Sequence, residues 1–198
     1  MARVVPEPVQ EDARAAADLA RSVVAGGASL ASVGLLDESL PWAVRVEVAR
    51  EAGRGSCASG LAAFGAEPVL AAAVLCGAGE AAAETGMAYA RERVVFGRPL
   101  ARMPVQRHAF ATVAAQVEAA TALVRRVAAF RDGFLPVAAV EEAAVLPYAL
   151  DAAWAAVEAA LQVHGGYGYT DEYPVSRMWT EVAAARVTHG ARPPMSGA

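Results

Sequence analysis

Residues 110–127 read FATVAAQVEAATALVRRV. The apolar positions Phe110, Val113, Val117, Ala120, Val124 and Val127 recur at steps of 3, 4, 3, 4 and 3, which lays one stripe along a single face of an α-helix. A second stripe, Leu150, Trp154, Val157 and Leu161, repeats at 4, 3 and 4. Asp132-Gly133-Phe134-Leu135-Pro136 lies between them, where a Gly followed by a Pro stops the first helix. Two striped helices joined by so short a connection predict antiparallel neighbours in a bundle.

Working outward, Glu67 to Arg93 reads as one long alanine-rich helix, with Pro68 acceptable in its first turn. A last helix is expected from about Val175 to Val187, after the turn Gly165-Gly166-Tyr167-Gly168-Tyr169. Pro147 stands just ahead of the second stripe and predicts a kink or an early break. The first 66 residues add helices at about Val9–Val24 and Pro41–Glu51, the second ended by the glycines between Gly53 and Gly60. No alternating strand pattern of useful length occurs. The expected fold is all-α: an up-and-down four-helix bundle over 67–198 behind an N-terminal helical segment, 1–66.

Composition narrows the function. Apolar residues make up 56% of the 198, enough for a core, and 17 basic against 21 acidic residues leave a net charge of −4. That balance gives no basic footprint for nucleic acid or an anionic membrane. Lys, Asn and Ile are absent, and all three have codons rich in A and T. A GC-rich bacterial genome explains this, and it lowers the information carried by any single Arg or Ala. Cys57 and Cys76 have no metal or redox spacing and read as small buried hydrophobes in a reducing cytoplasm. Met1 to Arg14 does not read as a signal peptide. Pro147, Asp151 and Glu158 interrupt the longest apolar stretch, Ala143 to Val163, and argue against a membrane span.

Three segments carry a resemblance: Tyr89-Ala-Arg-Glu-Arg93-Val-Val-Phe96-Gly97-Arg-Pro99, Val117-Glu-Ala-Ala120, and Gln162-Val-His-Gly165-Gly166-Tyr-Gly-Tyr169 through Tyr173-Pro-Val175. In this order and spacing they resemble the C-terminal helical domain of acyl-CoA dehydrogenases, over about Glu67 to Ala191. Trp42 to Gly55 resembles a helix of that family's N-terminal domain. The β-rich middle domain of the family, which grips the flavin ring, has no counterpart between them, so the chain looks like a shortened member.

The resemblance implies that Arg93, Phe96, Gly97, Gln162, Gly165 and Gly166 hold the dinucleotide end of an FAD bound mainly to a neighbouring subunit. The residue types suit that role, since a guanidinium forks onto pyrophosphate oxygens and paired glycines let backbone N–H groups come close. The plainer alternative is a solvated arginine at a helix end and a glycine C-cap. Pro104 stands where the family usually has a Gln, with Gln106 two residues on. His189 stands where many members carry the catalytic Glu, and an imidazole is a competent base near neutral pH. Glu67 matches the position of that Glu in a smaller branch, without the Arg that follows it there.

His108 and His164 match common family residues and are expected to be structural. Tyr167, Tyr169, Tyr173 and Trp179 are expected to pack together, and Glu141, Glu142, Arg125 and Arg126 read as ordinary surface charges. No metal site is expected. The function implied is FAD-dependent α,β-dehydrogenation of an acyl thioester, in a homo-oligomer or with a full-length acyl-CoA dehydrogenase-like chain. Two alternatives stand beside it: a non-redox acid/base enzyme (isomerase, dehydratase or cyclase) reusing the cleft, and a non-catalytic structural partner.

Overall fold

The computed structural model describes residues 6–26 and 29–190, the side chain of Ser32 excepted. Among the described residues seven helices follow one another: α1 (Glu7–Ala25), α2 (Trp42–Gly55), α3 (Cys57–Phe64), α4 (Pro68–Glu92), α5 (Pro104–Arg131), α6 (Ala139–His164) and α7 (Pro174–His189). Short 3₁₀ turns at Leu30–Val33, Leu100–Arg102 and Gly165–Tyr169 serve as connectors. Among the described residues the strands are two-residue pieces, β1 (Val94–Val95) and β2 (Arg98–Pro99), paired as one antiparallel hairpin. The all-α reading holds.

The two stripes explain the bundle. Phe110, Val113, Val117, Ala120, Val124 and Val127 are all buried, as are Leu150, Val157 and Leu161, so α5 and α6 bury the faces that their spacing dictates. Alanines and glycines let the axes come close. A side chain at Gly79 would meet Ala153 and Val117, and one at Gly86 would meet Ala160 and Phe110. From Gly79 to Gly86 the α6 contacts rise and the α5 contacts fall, so α4 and α6 run parallel with α5 antiparallel to both. Trp179 against Glu158, and the Gly190 region against Leu150, make α7 antiparallel to α6.

The N-terminal segment is built onto this bundle. At the crossing of α2 and α4, a Cβ on Gly53 would lie 1.9 Å from the Val74 carbonyl oxygen, and one on Gly77 would lie 1.9 Å from that of Arg50. The two backbones therefore touch directly, and α1 packs on α2 through Ala13, Ala20 and Val23.

Several expectations need correction. α2 does end within the stretch from Gly53 to Gly60, at Gly55, but a further helix, α3, follows at once, capped by the Ser56 hydroxyl on the Ser59 N–H. Gly60 serves close packing on Val74 instead of a turn. Pro147 does not break α6, which is continuous from Ala139 to His164. By length and composition α4 and the stretch Ala139–Tyr169 are long and apolar enough to cross a membrane, against the reading that Pro147, Asp151 and Glu158 disqualify the second. Both are central members of the bundle, packed on each other. The cysteines behave as expected. Both are buried, and desolvation pushes each thiol up to about 12.

Candidate functional site

The proposed cofactor residues gather at one end of the bundle, where α4 and α6 finish. Tyr89 in the last turn of α4 stacks on His164 at the end of α6, with ring centroids 4.1 Å apart, and Tyr173 meets both edge-on. His164 is buried and its Nδ1 lies 2.7 Å from the Ala160 carbonyl, which fixes the ring as a strut, as expected. The expected aromatic cluster divides. Tyr167 and Tyr173 join Tyr89 and His164, Trp179 packs on Trp154 and donates to Glu158, and Tyr169 is 74% exposed. His108 is exposed on α5.

Above this strut, α4 ends at Arg93 and the chain makes the hairpin. Its two turn residues, Phe96 and Gly97, have φ of 53° and 76°, the left-handed pair that a two-residue hairpin turn requires. Phe96 is the only non-glycine with positive φ among the described residues, and its side chain is 94% exposed. A phenylalanine held left-handed and bare in water gains nothing from its own chain. The Arg93 guanidinium is exposed and makes no hydrogen bond or ion pair with any described residue, and the same holds for Arg91, Arg98, Arg102 and Arg107. Glu92 is the one acid among residues 91–107, so this end is locally basic on a chain of net charge −4.

On the neighbouring corner Gln162 is exposed in the last turn of α6, and Gly165 takes φ 60° and ψ −138°, a backbone state that only glycine enters freely. Apart from the adjoining backbone, nothing lies within 4 Å of where a Cβ would stand on Gly165 or Gly166, and the Gly165 N–H donates to the Gln162 carbonyl. A free guanidinium and open glycine backbone suit a pyrophosphate, so the residues present fit the dinucleotide end of FAD. Pro104 opens α5 and offers neither an N–H nor a side-chain donor, while Gln106 is half-buried one turn in.

The two candidate bases lie elsewhere. Glu67 sits at the opposite end of α4, about 38 Å from Arg93 by helix rise. Its carboxylate caps the helix on the Val69 N–H and pairs with Arg131 at 2.8 Å, so it is held by structural partners. Arg131 also pairs with Glu142 at 2.6 Å and lies over the Trp42 ring. Asp132 accepts the N–H groups of Trp42 and Ala43 at 2.8 and 2.9 Å and so caps α2. Glu142, read as a surface charge, belongs to this clasp. Glu141 accepts the Ala138 N–H and pairs with Arg126 at 3.0 Å.

His189 is half-buried in the last turn of α7 and makes no hydrogen bond or ion pair with any described residue. The adjoining Gly190 packs near Leu150, which the α4–α6 register sets level with Cys76, nine residues or about 13 Å up from Glu67. No hydrogen bond or ion pair joins His189 to Glu67, and neither lies at the hairpin end.

One charged assembly escaped the sequence. Glu51, 2% exposed, accepts Arg21 at 2.9 Å and has Arg50 and Arg54 at 3.4 and 3.6 Å. Arg50 and Arg54 share Glu80 at 2.6 and 2.9 Å, and Arg125 pairs with Glu47 at 2.7 Å. Arg125 is thus no ordinary surface charge. The spacing of Glu47, Arg50, Glu51 and Arg54 on one helix was the available signal.

Comparison with known proteins places this architecture. Residues 57–193 match the acyl-CoA dehydrogenase C-terminal domain. The chain is 35% identical over 124 residues to cyclohexane-1-carbonyl-CoA dehydrogenase of Geobacter metallireducens, covering 63% of this chain and 32% of that protein. It superimposes on butyryl-CoA dehydrogenase from Megasphaera elsdenii with a TM-score of 0.57 at 30% identity, over 71% of this chain and 34% of the other. An acyl-CoA dehydrogenase complexed with FAD from Bacillus anthracis shares the fold, with a TM-score of 0.58 at 22% identity over 75% of this chain and 26% of that one. The chain spans about a third of the length of the curated relatives it matches. Through a domain that occupies most of its length, this chain belongs to the acyl-CoA dehydrogenase family.

Proposed function

We propose that the chain is a shortened acyl-CoA dehydrogenase-like subunit that takes part, with a partner, in FAD-dependent α,β-dehydrogenation of an acyl thioester in the cytoplasm. The observation that carries the reading is the hairpin end, where the Arg93 guanidinium and the Gln162 side chain have no hydrogen bond or ion pair with any described residue and Phe96 is exposed, beside the turn at Gly165 and Gly166. In this reading Arg93 would fork onto the pyrophosphate, the glycine turn would let it come close to the backbone and Phe96 would cover it from water. When bound, FAD supplies a hydride acceptor. The partner, a full-length relative or a second copy, carries the flavin-ring pocket.

Of the two candidate bases, His189 is the better placed. It is half-buried and unengaged, whereas Glu67 is spent on a helix cap and an ion pair. His189 accepts the α-proton on a ring nitrogen. The same engagement of Glu67 favours a second reading, a non-catalytic subunit that only completes a partner's flavin site.

The experiment is co-expression with a full-length relative, followed by the flavin content and the thioester oxidation rate of the purified complex. Arg93→Ala should lower the flavin content, and unchanged content and affinity would remove the pyrophosphate role. A pH–rate profile in which His189→Gln equals the parent supports the non-catalytic reading, and loss confined to Glu67→Gln moves the base to the start of α4. A colourless complex that still converts a thioester would replace dehydrogenation by acid/base chemistry.

A further inference from the structure

A cavity of about 600 Å³ lies between α1, α2 and α5. Its size is that of a small-molecule site. None of the residues discussed above as cofactor ligands or bases lines it, and its α1 and α2 walls precede residue 57, where the match to the acyl-CoA dehydrogenase domain begins. It is a product of the N-terminal segment docking on the bundle, separate from the hairpin end.

The floor is small and apolar: Ala13, Ala17, Val46, Ala128 and Ala129 are buried, and their short side chains leave the space. The walls are charged, and the charges are unequally spent. Arg50 gives Nε to Glu47, Nη1 to Glu80 and Nη2 to Glu51, and Arg21 gives Nε and Nη2 to Glu51 and Nη1 to Asp18. Glu47 receives Arg125 on one oxygen and Arg50 on the other. Burial works to raise the Glu47 carboxyl, but the hydrogen bond from Arg125 and the charge of Arg50 outweigh it and hold the group below its ordinary value.

The acids of the lining are thus already paired. Arg125 spends only its Nε–H, leaving both Nη groups, and Arg14 on the facing wall has no hydrogen bond or ion pair with any described residue. A guanidinium has five N–H donors in a planar fork that matches carboxylate and phosphate oxygens. Both arginines line the cavity together with its apolar floor.

We propose that this cavity binds a small organic anion, with carboxylate or phosphate oxygens bridging Arg14 and Arg125 and a short apolar tail on the alanine floor. The test is calorimetric titration of the full chain with hexanoate, hexyl phosphate, inorganic phosphate and hexan-1-ol. Hexanoate or hexyl phosphate should bind, the tighter one naming the head group, and inorganic phosphate and hexan-1-ol should each bind at least about tenfold more weakly because each lacks half of the recognition. The double substitution Arg14→Gln with Arg125→Gln should weaken the favoured ligand about tenfold or more. Ala43→Leu fills the cavity without altering either arginine and should do the same, which keeps the test decisive if the double variant unfolds. Hexan-1-ol binding as tightly as the anions, affinity unchanged in Ala43→Leu, or no heat from either anion at millimolar concentration would each overturn the proposal.

Discussion

At one end of the bundle Glu67, Arg131, Asp132 and Glu142 satisfy one another and the first turns of α2 and α4, with Trp42 between two guanidiniums at 4.3 and 4.4 Å. At the other end the side chains of Arg93 and Gln162 have no hydrogen bond or ion pair with any described residue, and Phe96 stays exposed. Both ends terminate the same long helices, and both carry arginines and helix-end backbone groups. Helix ends leave donors and acceptors that must be met by something. The closed end meets them with side chains, so its residues contribute stability. The open end meets them with backbone alone, the Arg93 N–H on the Tyr89 carbonyl and the Gly165 N–H on that of Gln162, so its exposed side chains contribute little to stability.

Four changes test that contrast. The largest effect is expected where α2 is seated on α4, since α2 brings Trp42 to the closed end. Gly77→Val drives side-chain atoms into the Arg50 carbonyl and should cost about 3 kcal/mol, lowering the melting temperature by roughly 6–12 °C. A melting curve like the parent's would mean that the α2–α4 seam yields freely. Next, Asp132→Ala removes both acceptors at the start of α2, and chemical denaturation should show a loss of about 1–2 kcal/mol.

The third test uses pH. The Glu47 carboxyl, between α2 and α5, is held below its ordinary 4.5, so its ion pairs with Arg50 and Arg125 contribute fully above pH 4.5 and are lost as pH falls through the lower folded value. Stability measured from pH 6 down should fall less steeply in Glu47→Gln than in the parent, and parallel curves would count against the assignment. The smallest effect belongs to the open end. Phe96→Asn, which keeps a residue tolerant of the left-handed turn, should leave stability within about 0.5 kcal/mol of the parent while lowering flavin retention in the complex.

The sequence makes some of this contrast legible. The 3–4 spacing of Phe110 to Val127 specifies a helix and its buried face, whereas the hairpin at Phe96-Gly97 goes unread because its two-residue strands are too short to show an alternation. Gly60 misleads, since a glycine that admits Val74 looks the same on paper as one that turns the chain. The role of Glu67 depends on Arg131, 64 residues away, and the buried Glu51 on Arg21, 30 residues away. Periodicity speaks for neighbours along one helix and is silent about partners that only packing supplies. That both His189 and Glu67 stand away from the hairpin follows from helix lengths and register together, which no single motif contains.

The α2–α4 seam also bears on how the gene can vary. Every glycine codon is one base from an alanine codon, and this chain is rich in alanine. Gly53 and Gly77 lie under that mutational pressure, yet a single added methyl at either would stand 1.9 Å from a carbonyl oxygen. The commonest residue in the protein is therefore the nearest forbidden one at these two codons. A chain of this composition that keeps glycine at both sites carries the record of a backbone contact, and a chain with alanine at either must have parted the two helices.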